Sequence, residues 1–272
     1  MTVETFERVR ATLGAIHDEI AGFTEEEILT GPAEQLLPPF RALDRLAATP
    51  VPEAVVDALM ADAGVVRAHE AIVRLRTTFG LRLEIEHARR ILASDDPWAV
   101  LEQYHFYRNY VVLGRMEAEA ACLSPGDRVA FLGSGPLPLS LIVLWNRHGV
   151  RGIGLDCVEE RAMTGRCVVA HLSCAAGIAI RRGDHWSFPL HEPCRMVMVA
   201  AQALAKEEIF AHLAAVLPPG TLISYRCYKK GLRRLFEYWM PREFPTNLRE
   251  IARVHPDPPV NNSVVVLRVG EE

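Results

Sequence analysis

Long hydrophobic runs are missing from this 272-residue sequence. No window approaches the roughly 18 unbroken apolar residues that a membrane-spanning helix needs, so a membrane partner is not expected. The start, MTVETFERVR, has neither the basic flank nor the apolar stretch of a secretory signal, and a cytoplasmic protein is the expectation. Paired cysteines are missing as well. Cys122, Cys157, Cys167, Cys174, Cys194 and Cys227 include no CxxC and sit mostly within apolar runs, which predicts reduced, buried side chains instead of disulfides or structural zinc. The histidines His87, His105, His185 and His255 show no HExxH or other ligand spacing, so no metal is expected. The formal charge is -4 with Arg and Glu interspersed, and the lack of a basic stripe excludes nucleic acid as an expected partner. Internal repeats, low-complexity tracts and long charge runs are also absent.

What is present divides the chain in two. From Thr2 to about Leu123 apolar residues recur at helical spacing, as in FERVRATLGAIHDEI and HEAIVRLRTTFGLRLEIEHARRIL, with proline breaks expected at LLPPF and TPVPE. After SPGD the pattern becomes short apolar, β-branched runs separated by helical segments: RVAFLG, VRGIGLD, GIAIRRGD, CRMVMVAA, GTLISYR and NSVVVLRV. Strands of this kind belong to a largely parallel sheet covered on both faces. The expectation is an α/β protein with an N-terminal α-helical domain over residues 1–122 and a Rossmann-like domain over residues 123–272.

The first strand runs into FLGSGPLPLS, the position at which a doubly wound sheet holds its ligand. Gly133 and Gly135 permit a tight turn and close backbone approach, and Pro136 or Pro138 can open the next helix. The third glycine of GxGxxG is absent. Leu137 and Pro138 crowd the place where a pyrophosphate would meet helix amides, so a dinucleotide is disfavoured and a phosphate-free nucleoside such as S-adenosylmethionine fits better. The other reading is a plain tight turn. Asp156, ending VRGIGLD, is placed to accept hydrogen bonds from two ribose hydroxyls, and Asp184, ending GIAIRRGD, to reach an adenine amino group; alternatively either carboxylate caps the following helix. With the turn residues Gly133, Ser134, Gly135, Pro136 and Leu137, and with Ala201 after CRMVMVAA, these form the expected nucleoside site.

Four separated blocks resemble the nicotianamine synthase family, including its bacterial opine-metallophore (staphylopine- and pseudopaline-type) branch. They are HFYRNYVVLGRMEAE at 105–119, GSGPLPL at 133–139, LISYRCYKKGLRRLFEY at 222–238 and VHPDPPVNNSVVV at 254–266. The resemblance implies a class I methyltransferase-type sheet that does not move the methyl group. It implies transfer of the 3-amino-3-carboxypropyl (aminobutanoyl) arm of S-adenosylmethionine, which is a substrate, to an amine, with release of methylthioadenosine. All three carbons on a sulfonium are electrophilic, so the carbon aimed at the nucleophile decides the product.

The same resemblance implies roles for single residues. Glu84 in GLRLEIEHARRIL aligns with a family glutamate as the base that takes the amine proton; among Arg74, Arg76, Arg82, Arg89 and Arg90, its other reading is a solvated ion pair. Glu86, two positions on, points to another side of the helix and stands where plant members have His. Tyr107 aligns with a tyrosine beside the reacting centre, while Tyr104, Phe106 and Tyr110 read as packing. Arg226, ending LISYR, is a candidate for a bidentate grip on a substrate carboxylate or for an internal ion pair. His255 reads as a lock on the last hairpin. The compact chain resembles the bacterial branch in size, which implies a single transfer to the α-amino group of histidine; the family resemblance also implies a homodimer and a downstream opine dehydrogenase acting on the product. Family members that join S-adenosylmethionine units into nicotianamine are the alternative, and a non-catalytic S-adenosylmethionine-binding module is a third reading.

Overall fold

The computed structural model describes residues 2–203, 205–228, 231–237, 244–255, 260 and 262–270. Lys229, Lys230 and Tyr238 of the third family-like block, and Pro256, Asp257, Pro258, Pro259 and Asn261 of the fourth, lie outside the described residues. The described elements, in order, are α1 (Thr2–Ile20), α2 (Glu25–Thr30), α3 (Ala33–Ala48), α4 (Glu53–Ala61), α5 (Ala63–Leu92), α6 (Pro97–Glu102) and α7 (Tyr107–Ala120). There follow β1 (Arg128–Leu132), α8 (Leu139–His148), β2 (Arg151–Asp156), α9 (Glu159–His171), β3 (Ile178–Arg182), β4 (Met196–Val199), α10 (Lys206–Val216), β5 (Leu222–Cys227), β6 (Leu248–Val254) and β7 (Ser263–Val269). No helix among the described residues is long and apolar enough to cross a membrane.

Packing divides the chain into Met1–Leu83 with Tyr228–Tyr238, and Glu84–Cys227 with Trp239–Glu272. The sequence boundary at 122/123 marks where periodicity changes from helical to strand-like, whereas compactness follows contacts. Compactness therefore places the last turns of α5, with α6 and α7, in the same unit as the sheet.

The first unit is helical. At the start of α2 Thr24 and Glu27 form a reciprocal capping box, which satisfies backbone donors that a helix start leaves open. The TPVPE segment does break the chain, and Pro52 caps α4. LLPPF does not: α3 runs straight through Pro38 and Pro39. Two backbone donors are lost there, but Leu36, Phe40, Leu43 and Ala47 recur at helical spacing on one buried face, and their burial outweighs the loss. Phe40 meets Phe79 edge-on at 5.0 Å, while the Arg76 guanidinium lies 4.4 Å from the Phe40 ring and 3.0 Å from Asp44.

The second unit carries a seven-stranded sheet of order β3-β2-β1-β4-β5-β7-β6. Neighbours from β3 through β5 are parallel, and β7 and β6 are antiparallel. This is a Rossmann-like, class I methyltransferase-type sheet, with the reversal of strand order at β1/β4 placing a crevice at the strand carboxyl ends. One strand was not anticipated. LREIARV of β6 carries charges along both faces and is an edge strand, so neither a continuous apolar run nor a clean alternation marks it. His255 Nδ1 lies 3.2 Å from Ser263 Oγ, bracing the β6–β7 hairpin. A continuous core of Ile153, Val197, Phe210, Ile223, Val265 and their neighbours fills one side of the sheet. All six cysteines are free, but Cys122, Cys157 and Cys167 are exposed, against the expectation of burial, because Cys122 and Cys157 lie in the turns after α7 and β2 and Cys167 on a solvent-facing position of α9.

Candidate functional site

The turn after β1 is built by two left-handed residues, Gly133 at φ 78° and Gly135 at φ 68°, a region in which a side chain clashes with the backbone. Backbone N–H groups of Gly133 and Ser134 both donate to Leu155 O, at 2.8 and 3.0 Å, so the turn folds over the end of β2. Two further glycines admit it. A Cβ on Gly154 would lie 2.8 Å from Ser134 Oγ, and one on Gly165 in α9 would lie 3.1 Å from Gly135 O. Ser134 Oγ is buried with no hydrogen-bond partner among the described residues. Leu137 is buried, and Pro138 is the N-cap residue of α8.

Asp156 is buried at the end of β2 and holds this turn by its carboxylate. Oδ2 accepts the Gly135 N–H at 3.0 Å, and Oδ1 accepts the Val158 N–H at 3.0 Å ahead of α9. Each oxygen keeps one lone-pair direction for a ligand hydroxyl.

Glu84, on α5, comes to the other side of the same turn: Oε2 would lie 2.9 Å from a Cβ on Gly135. Its carboxylate makes no hydrogen bond or ion pair with any described residue, and none of the helix arginines engages it. Arg74 instead reaches Glu70 and Ala21 O, Arg82 reaches Ile28 O and Gly31 O, and Arg90 reaches Gln103. Burial pushes the Glu84 carboxyl up to about 8; the negative charge of Asp156 adds to the rise and Arg161 opposes it. Glu84, Gly135 and Asp156 therefore form one group, with two carboxylates on either side of a single glycine.

The remaining expected residues have local surroundings of their own. Tyr107 is buried at the first position of α7, its hydroxyl 3.5 Å from Glu102 Oε1. Tyr104 packs edge-on with Phe106 at 5.8 Å and beside His87 at 4.9 Å. Asp184 is exposed and caps a 3₁₀ turn by accepting the Trp186 N–H at 2.9 Å. Neither Tyr107 nor Asp184 shares a hydrogen bond with the Glu84–Gly135–Asp156 group. Ala201 is half-buried in the turn after β4, next to Ala200, whose N–H donates to Leu132 O at 3.0 Å.

Arg226 closes a bidentate pair with the buried Glu117, Nε to Oε1 and Nη2 to Oε2 both at 2.9 Å. Nη2 also donates to Ser140 Oγ at 2.9 Å, and the guanidinium carbon lies 5.3 Å from the Tyr110 ring. Of the two readings of Arg226 offered by sequence, the internal ion pair is the one formed, and it joins β5, α7 and α8. Sequence reasoning missed Glu117 and Ser140. The trace of Glu117 was one acidic residue on the apolar face of RMEAE. Arg161 was missed as well, since nothing local separates it from Arg166.

Among the described residues no group of three His, Cys, Asp or Glu side chains converges as a metal site. A cavity of about 290 Å³ between α9 and β3, lined by Arg166, Val169, Ala175 and Ile178, contains none of the residues above.

A family model described as nicotianamine synthase protein matches residues 7–272. Nicotianamine synthase 9 of Hordeum vulgare is 32% identical over 227 residues, covering 78% of this chain and 66% of that protein, so the chain spans about two thirds of this relative's length. Among solved structures, a glutamate-to-glutamine mutant of MtNAS in complex with S-adenosylmethionine matches with a TM-score of 0.87 at 25% identity, covering 96% of this chain and 98% of the other. MtNAS in complex with MTA and tNA matches with a TM-score of 0.85 at 24% identity, covering 100% and 99%.

Proposed function

Since the chain belongs to the nicotianamine synthase family, we propose that it transfers the 3-amino-3-carboxypropyl arm of S-adenosylmethionine to the α-amino group of histidine and releases methylthioadenosine. The observation that carries this reading is the unpartnered, desolvated Glu84 carboxylate set against Gly135 opposite Asp156. An enzyme that only bound a nucleoside, or moved a methyl group to a preformed nucleophile, has no need of a raised carboxyl at this position.

In the proposed reaction the glycine turn and Asp156 hold the nucleoside, with the free lone pairs of Asp156 meeting ribose hydroxyls. The acceptor nitrogen attacks the arm's methylene next to sulfur. The C–N bond forms as the C–S bond breaks, the bonding pair goes to sulfur to give the neutral thioether, and the ammonium proton goes to Glu84. Tyr107 orients the amine or the arm's carboxylate, and Arg226, held by Glu117, positions α7 and α8 around the site. Asp184 and Ala201 border the adenine.

The acceptor separates this reading from its alternative. Relatives named nicotianamine synthase favour a chain that joins S-adenosylmethionine units; the family resemblance, which sets Glu86 where plant members carry His, favours a different acceptor and a place in the bacterial opine-metallophore branch, acting in the cytoplasm before an opine dehydrogenase. Incubating the protein with S-adenosylmethionine and with L- or D-histidine, and weighing the products, decides between them. Methylthioadenosine release that depends on histidine is the expected result. Release without an added amino acid, with nicotianamine as product, establishes the alternative, and S-adenosylhomocysteine as by-product overturns both.

A further inference from the structure

Arg161 sits at the third position of α9, one helical turn before Gly165. Residues four apart share a helix face, so Arg161 lies on the face whose Gly165 packs against Gly135 O. Long helical side chains lean toward the helix N-terminus, which here carries the guanidinium past the glycine turn toward the strand carboxyl ends. Its positive charge opposes the rise of the Glu84 carboxyl. Arg166 pairs with Glu159 at 2.7 Å, Arg181 with Glu192 at 3.3 Å and Arg226 with Glu117, while Arg182, which ends β3 beside Asp156, is exposed to solvent. Arg161, half-buried, makes no hydrogen bond or ion pair with any described residue, although Glu159 and Glu160 share its turn.

We propose that Arg161 is the carboxylate anchor of the site, gripping the carboxylate of an α-amino acid whose amine or adjoining carbon lies beside Glu84. A guanidinium offers a planar fork of five N–H donors, matched to two carboxylate oxygens, and a half-buried fork with no protein acceptor is poised for a ligand. Glu84 beside it takes the ammonium end, so the pair reads both charges of a zwitterion. The ligands are those of the reaction proposed above, on which this inference rests. Two of them carry the required group: the arm of S-adenosylmethionine and the acceptor amino acid.

The test uses the full chain with Arg161→Ala and Arg161→Lys. Calorimetry gives Kd for S-adenosylmethionine and for methylthioadenosine, which has no carboxylate; steady-state kinetics give KM for histidine and for histamine, its decarboxylated counterpart. Methylthioadenosine binding is expected to stay within about twofold, which also reports an intact fold. Either the S-adenosylmethionine Kd or the histidine KM is expected to rise roughly 10- to 100-fold in Arg161→Ala, as for loss of a charge-assisted contact, with partial recovery in Arg161→Lys. The constant that moves identifies which carboxylate is held. Both constants unchanged, with only the pH profile displaced, make Arg161 a counter-ion of Glu84 and overturn the proposal. Equal weakening of methylthioadenosine or histamine in both variants overturns it too. The two binding constants do not depend on turnover, so absence of transfer to any acceptor refutes the proposed reaction without deciding the anchor.

Discussion

The Glu84 Oε2 atom lies 2.9 Å from where a Cβ on Gly135 would stand. The turn proposed to receive the nucleoside and the carboxylate proposed as base thus adjoin, and a change at either is expected to be felt at both. Gly135→Ala places a methyl group there and forces alanine to φ 68°. The left-handed conformation alone costs about 1–2 kcal/mol, and displacement of the base is expected to lower kcat roughly tenfold or more. Steady-state rates and a melting curve measure the two effects separately.

Glu84→Gln keeps the shape and removes the proton acceptor. S-adenosylmethionine binding is expected to persist while methylthioadenosine release falls by about 10²-fold or more. A variant as fast as the parent in a single-turnover assay removes Glu84 as the base.

The pH dependence follows from the same carboxyl. With its free-enzyme value near 8, kcat/KM is expected to rise with pH through that region as Glu84 ionises. Bound S-adenosylmethionine brings a sulfonium cation that favours the ionised form, so the acidic limb of kcat is expected at lower pH than that of kcat/KM. Coincident limbs contradict this.

Stability responds with its own sign. The folded-state value of Glu84 lies above its ordinary 4.5, so its contribution is full at pH below 4.5, where it is protonated in both states, and is lost as pH rises through about 8. Glu84→Gln is therefore expected to melt close to the parent near about pH 5 and a few degrees above it near about pH 9. Differential scanning fluorimetry across that range reads the difference, and a parent that gains stability over this interval relative to the variant contradicts the assignment.

Asp156→Asn leaves one oxygen and an amide for two backbone donors that now meet a full carboxylate. The nucleoside turn is expected to loosen, with weaker binding of both S-adenosylmethionine and methylthioadenosine. Removing the negative charge also lets the Glu84 carboxyl fall toward its ordinary value, so the acidic limb of kcat/KM shifts to lower pH. An unchanged limb with weakened binding separates the structural role of Asp156 from its electrostatic one.

Much of this site was legible in order along the chain. RVAFLG reads as a strand because it is continuously apolar, GSG reads as a turn because only glycine is at ease at positive φ, and VRGIGLD places a carboxylate at a strand end. These are local signals, written within a few residues by periodicity and backbone sterics. Where local signals were weak or misleading, the reading departed from the structure. LLPPF suggested a break, yet burial of a four-residue face carries α3 through it, and LREIARV offered no pattern by which to find an edge strand.

Sequence alone determined the sheet apart from its edge strand β6, the glycine turn and the family that the four blocks resemble. Tertiary structure decided what each charged group does. Arg226 and Glu117 meet across 109 positions, and Glu84 stands free of the arginines around it in sequence while facing Asp156 and Arg161 from other elements. Desolvation and charge pairing depend on distance in space. No short stretch of chain carries that distance until the strands pair and the helices pack.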